Sequence, residues 1–278
     1  MRIIAVLGLL LVLISGCNND PVSSRPQLKT VAMEAKVEEY IFPEKGIDAI
    51  GEKSGIQVTW HRSQEDIFFG SYILERTNIV DLADPDRPIE FEKIHETENI
   101  FDTVFVDTTN FDLYDMYFYR LALINVDGVR SDYSDTVKYK IYPKPVIEGV
   151  SKVIDDTLDL ELTVDLGINH IEIVTIYVHV YNESRTERIF VAKPFKRYGS
   201  NRQRFRFLEE DDATGANALY RDFITGYDIF LAPDNSTPFP AQTVGLQPNT
   251  RYWIRVDYDG DERLSSGAES QYFQFFYN

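Results

Sequence analysis

From about residue 30 onward, apolar residues recur at every second position in short runs bounded by Gly, Pro, Asn and Asp. A period of two puts one set of side chains on a core and the other in solvent, so the pattern predicts strands rather than helices. The clearest run is 56–60, where Ile56, Val58 and Trp60 share a face. Further strands are predicted at 71–76, 89–94, 104–107, 117–125 and 136–141, with another near 31–40. That makes about seven, as a β-sandwich of this size needs. Asn125-Val126-Asp127-Gly128 supplies the turn between the last two. Pro143 and Pro145 then mark a break and a stiff, short linker. Beyond it, strands are predicted at 158–164, 171–181, 188–192, 203–208, 224–231, 251–258 and 271–277. The chain therefore reads as all-β, with two tandem β-sandwiches at residues 30–142 and 143–278.

The N-terminal end has a different pattern. Met1-Arg2 is followed by an apolar run over 3–13 and then by Ile14-Ser15-Gly16-Cys17. That is the layout of a secretory signal, and the run falls short of the roughly 20 residues that cross a bilayer. Its last four residues resemble the bacterial lipobox: an aliphatic residue, two small ones and a cysteine. The resemblance implies that residues 1–16 are removed and that Cys17 carries a thioether-linked diacylglycerol and an acylated amine. Two or three acyl chains hold a protein durably where one alone does so marginally. Asn18 at the second mature position disfavours retention in the inner membrane, so the expected location is the outer membrane of a bacterial envelope. Residues 17–29, with two prolines, two serines and no periodicity, read as a flexible tether. Cys17 is the sole cysteine of the 278 residues, so no disulfide competes for it.

Both predicted sandwiches resemble the fibronectin type III family, an immunoglobulin-like fold. In the first, Trp60 stands where that family has its second-strand tryptophan. Tyr117-Phe118-Tyr119-Arg120-Leu121, then Asn125 and Gly128, then Ser131 and Ser134, match its closing strands. The resemblance implies that Tyr117 is a corner tyrosine whose hydroxyl caps nearby backbone. Phe111 replaces the usual leucine. In the second, Leu246-Gln247-Pro248-Asn249-Thr250-Arg251-Tyr252 matches the same corner more fully. At 136 residues this half exceeds the usual module by roughly a third, mostly between residues 181 and 232.

Charge narrows the partners. The chain has 28 basic and 45 acidic residues and a formal net charge of −17, which repels phosphate backbones and disfavours nucleic acid. A hydrophobic content of 44% with 13% aromatics is enough for packed cores and too apolar for a disordered chain.

Little in the sequence suggests catalysis. His61, His95, His170 and His179 are scattered without a metal-binding spacing. There is no Gly-x-Ser-x-Gly elbow or phosphate-cradling glycine loop, and Cys17 is committed to lipid. No enzyme activity, cofactor or metal is expected.

Three features are candidates for binding. Asp257-Tyr258-Asp259-Gly260-Asp261-Glu262 crowds four carboxylates round one glycine, either a solvated turn or a calcium loop. Arg202, Arg204 and Arg206 fall on one face of a strand, close to Lys193, Lys196 and Arg197. They either pair with Glu209, Glu210, Asp211 and Asp212 or form a docking patch. Trp253 points away from the face shared by Tyr252, Ile254 and Val256, as either an exposed aromatic platform or a residue covered by an inserted segment. The resulting expectation is a membrane-anchored lipoprotein whose tandem sandwiches bind an envelope protein or glycan, the alternatives being a structural spacer or, further off, a glycan-acting hydrolase.

Overall fold

The computed structural model describes residues 28–37, 44–64, 67–78, 89–155, 157–167, 175–192, 202–208, 249–260 and 265–277, and among them there is no helix. The described residues of the first sandwich form seven strands: β1 (Asp48–Ile50), β2 (Gly55–Thr59), β3 (Phe69–Thr77), β4 (Glu92–Thr97), β5 (Val104–Asp107), β6 (Met116–Asn125) and β7 (Val137–Ile141). They form one sheet in the order β1-β2-β5 and a second in the order β7-β6-β3-β4. The alternation in the sequence sets which side chains meet. Ile56, Val58 and Trp60 from the first sheet are buried against Tyr72, Leu74, Tyr119, Leu121 and Leu123 from the other. The Trp60 ring meets Tyr72 edge-on with centroids 5.7 Å apart.

The residues that carried the resemblance meet as follows. The Asp112 N–H donates to the Tyr117 hydroxyl at 2.7 Å, which ties down the turn before β6. Ser131 and Ser134 accept from the backbone N–H groups of Leu123 and Leu121 at 3.0 and 2.9 Å, extending the edge between β6 and β7.

The second sandwich repeats the plan with β8 (Val146–Asp155), β9 (Thr157–Asp165), β10 (Thr175–Tyr181), β11 (Arg188–Ala192), β12 (Arg202–Leu208), β13 (Thr250–Asp259), β14 (Ser266–Glu269) and β15 (Phe273–Tyr277). One sheet runs β12-β9-β8 and the other β11-β10-β13-β14, with β15 continuing alongside β13. In both halves the first, second and fifth strands make one sheet and the others make the second. In the second half the closing strand is split into β14 and β15. The core between these sheets gathers Leu162, Val164, Ile176, Val178, Tyr252, Ile254, Val256 and Phe275.

Several expectations need correction. Over the described residues 31–37 the strand expected near 31–40 is a bridge between Met33 and Trp60, residues 38–40 lying outside the described range, and the strand beside β2 is β1, reached through a turn at Gly46. At Gly46 φ is +88°, and a Cβ would lie 1.9 Å from the Ala35 carbonyl oxygen, so only glycine fits. Strands β1, β8 and β14 were not anticipated, while the strand expected at 224–231 lies outside the described residues.

The two halves are also joined more closely than a two-proline linker requires. Strands β7 and β14 pair in parallel, Lys140 opposite Ser266 and Ile141 opposite Gly267, so one sheet runs through both sandwiches. At the linker itself, the Tyr258 hydroxyl donates to the Pro143 carbonyl at 2.6 Å.

Candidate functional site

From Ile254 to Asp259, strand β13 is buried on both faces. Tyr252, Ile254, Val256 and Tyr258 fill the core, yet Arg255, Asp257 and Asp259, which alternation sends outward, are buried too. On its neighbour β10 the same holds for Tyr177, His179 and Tyr181. The register sets His179 opposite Arg255 and Tyr177 opposite Asp257. From the first sandwich, Glu44 reaches Arg255 and Lys36 reaches Asp259 on this face.

The charges on this covered face are interlocked. Arg255 bonds Glu44 of the first sandwich, lies 2.6 Å from Asp257 and reaches Glu269 at 3.4 Å. Arg188 lies 3.8 Å from Glu44, and its guanidinium meets His179 Nδ1 at 3.0 Å. Because guanidinium only donates, Nδ1 accepts and the ring proton sits on Nε2, 2.9 Å from the Asp257 carboxylate. Alongside, Lys36 bridges Asp48 at 3.0 Å and Asp259 at 2.7 Å, while the Tyr139 hydroxyl donates to Asp48 at 3.1 Å. The Gly51 N–H donates to Glu269 at 3.1 Å.

This environment shifts ionisation. Burial, the neighbouring Asp257, Glu44 and Asp48 all raise the Glu269 carboxyl well above its ordinary range, outweighing the pull of Arg255. Burial alone would favour a neutral Arg255, but the carboxylates of Asp257, Glu269 and Glu44 more than offset it and hold the guanidinium charged. Burial also lowers Lys144, with Glu269 opposing.

Glu44, His179 and Asp257 bring three potential metal ligands within 4.8 Å of one another. Arg255 already bonds both carboxylates of that set, so a guanidinium supplies the cation there. The chemistry of the cluster is that of an interdomain lock.

The residues singled out from the sequence fall as follows. Cys17 lies outside the described residues. Arg202 is exposed at the start of β12 and pairs with Glu148 on β8; the acidic run 209–212, its expected partner, lies outside the described residues. Arg204 and Arg206 follow on β12, in register with Thr163 and Glu161. Trp253 faces outward and is partly covered by the turn between β10 and β11, while most of the segment expected to fold over it lies outside the described residues. Its indole N–H donates to the Glu183 carbonyl at 2.9 Å, and the Arg185 guanidinium lies 5.0 Å from its ring centroid. Arg185 also pairs with Glu52 of the first sandwich. Asp257 and Asp259 are strand residues facing the first sandwich, not ligands in a loop; Asp261 and Glu262 lie outside the described residues.

Sequence reasoning missed Lys36, Glu44, Arg188, Arg255 and Glu269 as a group. The available signal was the recurrence of Arg255, Asp257 and Asp259 at every second position, charges of both signs on one strand face.

No protein-family model and no curated protein matches the chain. Among solved structures, a two-domain fibronectin type III segment of chicken tenascin matches at 12% identity and TM-score 0.26, covering 90% of this chain and 98% of that one. The chicken interferon gamma receptor alpha chain matches at 9% identity and TM-score 0.29, covering 88% and 98%. A β-1,2-glucanase from Parabacteroides distasonis matches at 17% identity and TM-score 0.28, over 43% of this chain and only 14% of that one. At such scores the likenesses carry no argument about function, and the fold rests on strand order and register: two tandem immunoglobulin-like β-sandwiches, an architecture that does not by itself fix a function.

Proposed function

We propose that this protein is a non-enzymatic lipoprotein of the bacterial envelope, anchored through lipid on Cys17 in the outer membrane, whose two sandwiches act as one rigid unit presenting a binding surface to an envelope protein or glycan. The observation that carries the reading is the lock between the halves, centred on Arg255 and Lys36. A unit without a hinge loses less freedom when it engages a partner, which favours presentation of a fixed surface.

The face proposed for the partner is β12, with Arg202, Arg204 and Arg206 at alternating positions in a protein of net charge −17. Trp253 is the weaker choice, because a sugar ring stacking on it has to displace Arg185. The test is a pull-down from membranes with the lipidated protein, compared with a variant carrying Arg202→Glu and Arg204→Glu. Loss of one specific band is expected. An unchanged set of bands counts against the arginine face.

The lock also favours a second reading, a rigid envelope spacer. A spacer has no concentrated site, so its captured proteins stay the same in the charge-reversed variant. For the anchor, Cys17→Ser is expected to move the protein from the membrane to the soluble fraction.

A further inference from the structure

One pole of the first sandwich is built from the loop before β3, the loop between β4 and β5, and the turn after β6. The three are tied together: the Val126 N–H donates to the Phe68 carbonyl at 3.1 Å, and the Tyr72 hydroxyl accepts from the Ser63 N–H at 2.8 Å and lies 3.2 Å from the Ile100 carbonyl. Each loop exposes large apolar side chains there. Ile67 is 84% exposed, Phe101 68%, Val126 63%, Val129 60% and Phe68 39%. Single exposed apolar residues are ordinary, but several gathered at one pole mark a contact surface.

The chain enters the fold at this same pole. The Thr30 hydroxyl donates to the Asp132 carbonyl at 3.1 Å, and the His61 N–H to the Ala32 carbonyl at 3.0 Å, which places the N-terminal segment beside the loops. Leu28 is eleven positions from Cys17, a span of at most about 36–40 Å when fully extended. Strand β6, ten residues long, separates this pole from the opposite one by roughly 34 Å. The second sandwich joins at that far end, through the last residues of β7. The tether from the anchor therefore joins the fold at the apolar pole, and the described residues of the second sandwich lie at the opposite end.

We infer that this pole docks onto the lipid bilayer, with Ile67, Phe68, Phe101, Val126 and Val129 seated in its interfacial layer. The inference rests on the anchor proposed at Cys17. Lipid at Cys17 and apolar side chains in the loops act together, each adding buried apolar surface. Arg62, whose guanidinium stacks 4.2 Å from the Phe101 ring centroid, lies where it can keep its charge among headgroups while its stem follows the ring inward. The first sandwich then stands upright on the membrane, and the second projects away from it.

The test uses the full lipidated chain in phosphatidylcholine–phosphatidylethanolamine vesicles containing lipids spin-labelled along the acyl chain. With Cys17 acylated, a fluorophore on Val126→Cys reports on the pole, and one on Ser184→Cys reports on the second sandwich. Quenching at position 126 and none at 184 is expected, with loss of quenching at 126 when Ile67→Asp and Val129→Asp are added. Both side chains are largely exposed, so circular dichroism of that variant should match the parent. Co-flotation with vesicles but equal quenching at the two positions overturns the orientation and leaves the anchor standing. Failure to co-float overturns the anchor and the orientation with it. Absent quenching with a doubled mass in light scattering assigns the pole to a second copy of this chain, and overturns the inference as well.

Discussion

Lys36 of the first sandwich places its ammonium 2.7 Å from Asp259 of the second, 223 positions along the chain. Both side chains are almost fully buried, and Asp48 completes the group at 3.0 Å. A buried ion pair is weak evidence for net stability, because desolvation opposes the attraction, but removing one partner strands the other charge. The value of the group lies in geometry: the opposite charges are satisfied only when the sandwiches sit in this one relation.

Lys36→Met should therefore destabilise the folded protein by about 3–5 kcal/mol, by leaving Asp48 and Asp259 buried without their cation. Urea unfolding measures it. A change within experimental error would mean that water reaches the carboxylates and that the lock is looser than its distances imply.

Gly51 marks a close backbone approach between the halves. A Cβ there would lie 2.0 Å from the Ser270 carbonyl oxygen, and backbone cannot move aside as a side chain can. Gly51→Ala should cost about 1–3 kcal/mol through overpacking and should open the interface. Faster proteolysis around residues 142–145, with scattering profiles of a more extended molecule, is the expected readout.

Stability should depend on pH through Glu269. Its folded pKa is raised, by burial first and then by the surrounding carboxylates, so the folded state binds more protons than the unfolded one above about 4.5. This contribution is fully present below that value and is lost as pH rises through the folded pKa. Glu269→Gln keeps a side-chain oxygen to accept from the Gly51 N–H and cannot ionise. Urea midpoints of the variant should fall less steeply with rising pH than those of the parent, and parallel curves would argue that Glu269 does not titrate in this window.

Tyr117→Phe removes the hydroxyl that accepts from the Asp112 N–H and leaves the ring packed edge-on against Phe111, with centroids 4.8 Å apart. The expected loss is about 0.5–1.5 kcal/mol, measured by thermal or urea unfolding, with the fold retained. A much larger loss would show that the corner organises the turn before β6 as well as tying it down.

The sequence by itself determined where most strands lie and which of their faces fill the two cores. Alternation is a local property, and Ile56, Val58, Trp60, Tyr252, Ile254 and Val256 all point as their spacing requires. The same rule failed for Arg255, Asp257, Asp259 and His179, which it sends to solvent. Whether an outward face meets water depends on what another part of the chain lays over it, and here Glu44 lies 211 positions from Arg255. The surroundings of Trp253, Asp257 and Asp259 were hidden from the sequence for the same reason: Arg185, Lys36 and Arg255 reach them across the sheet or from the other sandwich. Strand direction and core faces are written into short-range pattern; burial of charge, and with it the rigid union of the two sandwiches, was decided only by the tertiary structure, because complementary charges far apart in sequence recognise one another only once both sheets exist.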